Sequence, residues 1–199
     1  SQTVQPAHTF QVSAPSFDAV EYGDTSVQEK ELAIENTGNE AMTIVSVSVE
    51  NKDGSSPAAF TVQGPAQSAG TEVAPGKVSK DWTVQPVTGL EAGTHTAVIT
   101  VEAEFAPDAR VTQTAEVSVV IEPKEIEAVL TGDAEKTYDG TDALPQNTSL
   151  SLSFASGSVL AQDAADLELN AGSIKFASAD AGTKEVIAEN LSITGSKAG

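Results

Sequence analysis

Two stretches decide the fold: Thr94-His95-Thr96-Ala97-Val98-Ile99-Thr100-Val101-Glu102-Ala103 and Ala115-Glu116-Val117-Ser118-Val119-Val120-Ile121-Glu122. In the first, Ala97, Ile99 and Val101 alternate with Val98, Thr100 and Glu102. In the second, Ala115, Val117, Val119 and Ile121 alternate with Glu116, Ser118, Val120 and Glu122. A period of two sends successive side chains to opposite faces of an extended chain, so each segment carries one apolar face. Strands of this kind pack on one side and stay wet on the other.

The same period spreads outward. Val45, Val47 and Val49 are expected on one face against Ser46, Ser48 and Glu50. Val78, Lys80, Trp82 and Val84 are expected to share a face, with Ser79, Asp81, Thr83 and Gln85 opposite. Between the strands lies turn chemistry: Asn36-Thr37-Gly38-Asn39, then Ala74-Pro75-Gly76-Lys77 with Pro and Gly at the central positions of a type II turn. Gly89-Leu90-Glu91-Ala92-Gly93 breaks the chain again before the Thr94 strand. Helical periodicity is almost absent, which predicts sandwiches. A seam falls at Ile121-Glu122-Pro123-Lys124-Glu125, after which alternation restarts with Ile126, Ala128 and Leu130. Short strands are expected around Leu150-Leu152-Phe154, Leu167-Leu169, Ile174-Phe176, Val186 to Ala188 and Leu191-Ile193. The expectation is an all-β chain of two tandem immunoglobulin-like β-sandwich modules, 1–123 and 124–199. The smaller one has only a thin core.

Composition narrows the function. The chain has 29 acidic and 10 basic residues, a net charge of −19. Such a surface repels phosphate backbones and anionic headgroups, so nucleic acid and membrane surfaces are poor partners. No apolar run approaches the roughly 18 residues of a membrane-spanning helix. There is no cysteine, which removes disulfides, thiolate metal sites and cysteine nucleophiles together. The start at Ser1 without an apolar leader, and the end at Gly199, read as those of a trimmed mature fragment.

The first module resembles the bacterial Ig-like sandwiches of the abnormal-spindle and Hydin type. The residues that carry this are Phe17-Asp18-Ala19-Val20, Tyr22-Gly23 and Leu32-Ala33-Ile34-Glu35-Asn36-Thr37-Gly38-Asn39, then Trp82 to Pro86 and Gly89 to Thr96. The second module resembles the YDG-type repeat domain of bacterial surface proteins, on Lys136-Thr137-Tyr138-Asp139-Gly140-Thr141, Ala179 to Val186 and Leu191 to Gly195. That family continues into an Asn-Tyr pair and a final strand, so the likeness implies a module truncated at its C-terminus. It also implies tandem surface stalks without assigned catalytic residues.

The parts of a catalytic site are missing from the sequence. There is no Gly-x-Ser-x-Gly elbow, no phosphate-binding glycine loop and no His-Glu-x-x-His. The two histidines, His8 and His95, are expected as surface or turn residues. No cofactor is implied. Calcium is the one metal considered, because hard oxygen ligands suit it. Asp139 and Asp142, with Thr141, cluster in one turn, and Asp163 and Asp166 in another. Neither pair follows an EF-hand loop, and Asp139-Gly140 is first a turn dipeptide. Trp82 is expected in the core rather than on a sugar-binding platform, and Tyr138 against the interface of the modules. Lys80, Lys175 and Asn190 are the strand residues from which an internal lysine–asparagine crosslink could be built.

The expected role is a non-enzymatic structural or stalk segment of a secreted or cell-surface bacterial protein. Its partners are then the neighbouring domains of the parent. An adhesin-type binding module for host protein or glycan is the second reading, and an accessory domain of a secreted polysaccharide-degrading enzyme the third.

Overall fold

A computed structural model describes residues 5–26, 28–65, 70–105 and 109–198, so the terminal Ser1 and Gly199 lie outside the described residues. The chain is all-β, in tandem immunoglobulin-like modules. Its compact units are Ser1–Lys124 and Glu125–Gly199.

The first unit contains β1 (Phe10–Ser13), β2 (Val20–Glu21), β3 (Lys30–Asn36), β4 (Met42–Asn51), β5 (Phe60–Gln63), β6 (Thr71–Val73), β7 (Val78–Pro86), β8 (Gly93–Phe105) and β9 (Arg110–Glu122). One sheet runs β1-β3-β7-β5 and the other β2-β9-β8-β4-β6. The two stretches that opened the sequence reading pair antiparallel, with Ala97 opposite Val117 and Ile99 opposite Ala115. Their apolar faces meet the other sheet in one core. Leu32, Ile34, Trp82 and Val84 come from one side, and Met42, Ile44, Ile99, Val101, Val117 and Val119 from the other.

Two strands depart from simple alternation, and bulges explain both. On β7, Val78 is 47% exposed while Ser79 is buried, the reverse of the expected faces. The pairing of β3 with β7 shifts between Leu32 and Ile34, opposite Trp82 and Ser79. An extra residue in one strand of a pair flips the alternation beyond it. On β4 the register slips between Ile44 and Ser46, so the buried set is Met42, Ile44 and Val47 rather than the three valines.

The Asn-Thr-Gly-Asn turn does more than reverse the chain. Asn36 is 0% exposed. Its amide Nδ2 donates to Glu40 O and to Val73 O, both at 2.8 Å, and its Oδ1 accepts from Gly38 N at 3.0 Å. Asn36 ends β3 in one sheet, whereas Val73 ends β6 in the other. One amide therefore shapes the turn and fastens the sheets at that end. Gly38 is required beside it, because a Cβ there would overlap the Ala7 carbonyl.

The second unit holds β10 (Ala128–Thr131), β11 (Ser151–Phe154), β12 (Glu168–Phe176) and β13 (Val186–Thr194), with a 3₁₀ turn at Ala164–Asp166. β10 pairs with β11 and β12 with β13, each antiparallel and each a two-stranded sheet. The strands expected separately at Val186 and at Leu191 are one strand, β13, with Asn190 at a φ of 54°. Among the described residues, every buried apolar side chain belongs to the first unit. Leu130, Leu152, Phe154, Leu169, Ile174 and Phe176 of the second are only half-buried. A small unit has too little volume for its surface to close a core.

Candidate functional site

The turn Lys136-Thr137-Tyr138-Asp139-Gly140-Thr141 is knotted by a lysine. Asp139 Oδ1 accepts from Thr141 N and Thr141 Oγ1, each at 2.9 Å, and from Lys136 Nζ at 2.8 Å. The ammonium also donates to Thr141 O at 2.7 Å and Thr141 Oγ1 at 2.9 Å. Gly140 sits at a φ of 77°, left-handed backbone that glycine adopts freely. The Lys136 side chain is only 15% exposed, and its nitrogen lies 5.7 Å from the centre of the Phe176 ring. The Lys136 ammonium, and after it the Thr141 donors, pull the Asp139 carboxyl down to about 2.

The two calcium candidates are thus drawn to different lysines. An ammonium holds Asp139 at the oxygen a cation would use, while Asp142 Oδ2 is 3.8 Å from Lys175 Nζ. Lys175 also meets Glu189 Oε2 at 3.0 Å, and first Glu189, then Asp142, raise its pKa. Lys80, on the other unit, is exposed and paired with Glu31 at 3.0 Å. Asp163 is buried just before the 3₁₀ turn, and Asp166 N donates to its carbonyl at 2.9 Å. Among the described residues no cluster of three or more His, Asp or Glu gathers as a metal ion requires.

Above the knotted turn opens a cleft of about 1290 Å³, with Leu130, Leu150, Phe176 and Val186 in its walls and Tyr138 at its edge. Tyr138 is 67% exposed. The sequence signal for this cleft was indirect: a module too small for its apolar residues to bury one another.

Residues 122–199 match the YDG domain family. The YDG match takes in the knotted turn, the cleft and all four strands of the second unit. No curated protein matches the chain. Among solved structures the chain is similar to the ASH/PapD-like domain 7 of human CEP192, at 16% identity and a TM-score of 0.44, over 63% of this chain and 96% of that one. It is similar to the Vibrio cholerae VesB protease at 12% identity and a TM-score of 0.41, over 56% of this chain and 31% of that one. The periplasmic chaperone SfaE shows 12% identity and a TM-score of 0.39, over 59% of this chain and 58% of that one. The chain therefore spans less than two thirds of the length of both the protease and the chaperone.

Outside the YDG match, the remaining candidates are engaged in structure. His8 Nε2 lies 2.9 Å from Glu40 Oε2, its ring stacked 5.2 Å from that of Phe105. His95 Nε2 bonds Glu91 O at 2.8 Å, within the loop before β8. Trp82 is 6% exposed and lies in the core. Among the described residues its indole Nε1–H finds no hydrogen-bond partner, and its six-membered ring fills the place where Gly64 lacks a side chain. Among the described residues no helix is long and apolar enough to cross a membrane.

Proposed function

We propose that the chain is a non-catalytic, load-bearing stalk segment of a secreted or cell-surface bacterial protein, with modules 1–123 and 124–199 meeting at a hinge around Pro123. Its partners are the neighbouring domains of that protein. One observation carries this reading: β2, near the start of the first unit, runs parallel to β9, its last strand. Val20 pairs with Ile121 and Glu21 with Glu122, and Tyr22 N donates to Glu122 O at 2.8 Å. Lys124 Nζ meets Glu21 Oε1 across the same join at 2.8 Å.

β1 precedes β2 and pairs with β3 in the other sheet, so tension reaches the parallel pair once β1 has parted. Pulling on the two ends drags β2 and β9 in opposite directions along their shared axis. The bonds between them are then sheared together rather than opened one after another. The rest of the unit offers little else to do: its core is closed and its histidines are occupied. A net charge of −19 keeps parallel stalks apart.

Single-molecule extension of 1–199 between handle domains tests the reading. Tyr22→Pro removes one donor from the clamp, and the rupture force of the first unit is expected to fall. Gly64→Ala weakens the core elsewhere and is expected to leave that force near its starting value, since forced rupture follows the unfolding barrier and not equilibrium stability. An unchanged force in Tyr22→Pro overturns the stalk assignment.

A further inference from the structure

The chain ahead of β1 is fastened to the first unit by contacts that the join of β2 and β9 does not involve. Residues 5–9 run along the Asn36-Thr37-Gly38-Asn39-Glu40 turn as a strip. Thr37 N donates to Thr9 O at 3.1 Å, and Asn39 N to Ala7 O at 3.2 Å. In return Ala7 N donates to Asn39 Oδ1 at 2.7 Å, and Asn39 Nδ2 to Gln5 O at 2.9 Å. The two bonds to the Asn39 side chain are exposed. Bonds of this kind open readily, because water competes for their donors and acceptors.

His8 is the side chain that ties the strip inward. It is 29% exposed, and its Nε2 lies 2.9 Å from Glu40 Oε2. Its ring stacks on buried Phe105, with centroids 5.2 Å apart and planes at 23°. An ionised carboxylate only accepts, so Nε2 carries the hydrogen of this bond and a further proton enters at the other ring nitrogen. The ring then becomes a cation between a carboxylate and an aromatic face, and both favour it. The other carboxylates of the neighbouring strands face elsewhere. Glu35, Glu72 and Glu104 each precede a buried residue (Asn36, Val73 and Phe105), so alternation turns them to the opposite face. Glu104 is also held by Arg110 at 3.4 Å. Lys77 reaches this end through its carbonyl, which accepts from Asn36 N at 2.9 Å, and its side chain is exposed.

We propose that His8 is a proton-operated latch. Its protonation tightens the strip of residues 5–9 over the Asn36–Glu40 turn, and loss of the proton loosens the strip while the core stays closed. Imidazole changes charge between about pH 5 and 8, so the added hold is present at the acid end of that window and lost as pH rises through it. The latch does not depend on whether the chain bears load.

Amide exchange in isotope-labelled 1–199, read by NMR as protection factors so that the intrinsic pH dependence divides out, tests this. Protection of the Ala7, Thr37 and Asn39 amides is expected to rise about threefold from pH 8 to pH 5.5. The core amides of Ile99 and Val117 should not follow. His8→Gln keeps a donor that takes no proton, and Glu40→Gln keeps the backbone carbonyl that Asn36 holds. In each the rise is expected to vanish. His95, the other histidine of the chain, lies near the Gly93 end of β8, away from Phe105, and His95→Gln should leave the rise in place. A rise that survives in His8→Gln overturns the proposal. So does equal protection at the two pH values in the unmodified chain, or a rise that Ile99 and Val117 share in proportion. Should one of the two latch variants fail to fold, the other still decides.

Discussion

Replacing Asn36 should cost the first unit more than any other single change to a polar residue, and the amount can be worked from its bonds. Asn36→Ala leaves three groups unpaired: Val73 O, Glu40 O and Gly38 N. The bond to Val73 O is buried, whereas those to Glu40 O and Gly38 N are only partly so. A buried group stripped of its partner costs about 1–3 kcal/mol, and a partly wet one about 0.5–1.5 kcal/mol. Together these come to about 4 kcal/mol, or a fall of about 15 °C in Tm for a unit of this size. Asn36→Asp is isosteric and should be worse at neutral pH. It turns a donor into a carboxylate facing two carbonyl oxygens that now lie 2.8 Å away. That geometry raises the folded pKa of the new carboxyl above its unfolded value of about 4. The variant should therefore be least damaged at low pH, and lose stability as pH rises through that range. Trp82, the single tryptophan, lies buried in the first unit, so urea unfolding followed by its fluorescence reports that unit alone. A cost below about 1 kcal/mol for Asn36→Ala, or an Asn36→Asp variant as stable as it at pH 7, would refute the staple.

Gly64→Ala places a Cβ inside the Trp82 ring, overlapping its Cε3 and Cδ2, so ring or backbone must move. The expected cost is about 1–3 kcal/mol with a shifted tryptophan emission maximum, and an unshifted, equally stable variant would show that the contact is slack. The Asp139 carboxyl, held at about 2 by Lys136 and Thr141, should titrate by NMR with its midpoint near that value. Because the folded pKa is depressed, the turn's ionic contribution is present above the unfolded value and lost as pH falls towards 2. Lys136→Met should return the midpoint towards an ordinary carboxylate, and millimolar calcium should leave the Asp139 signal of the unmodified chain in place. A calcium-induced shift would instead show that the cation displaces the ammonium.

Much of the fold was legible because a period of two is a local property. Ala97, Ile99 and Val101, or Val117, Val119 and Ile121, are sorted onto the core face by their spacing alone. The Asn-Thr-Gly-Asn and Pro-Gly turns were readable for the same reason, since backbone conformation at a turn depends on the few residues within it. The Lys136–Asp139 pair also lies inside one turn, yet its meaning did not show. Whether an aspartate faces a cation or an ammonium depends on how the lysine beside it is buried, here against Phe176.

Sequence by itself determined that this chain is extended, where it turns, and which strands have an apolar face. Tertiary structure alone decided the register shifts that expose Val78 and bury Ser79, because a bulge is set by the partner strand. It alone made Asn36 a staple, by bringing up the carbonyl of Val73 from a strand of the opposite sheet. It also set β2 parallel to β9 and left the second unit open over Leu130 and Phe176. Pairing and closure join residues far apart in the chain, so the local spacing that gives each strand its faces does not say which edges meet.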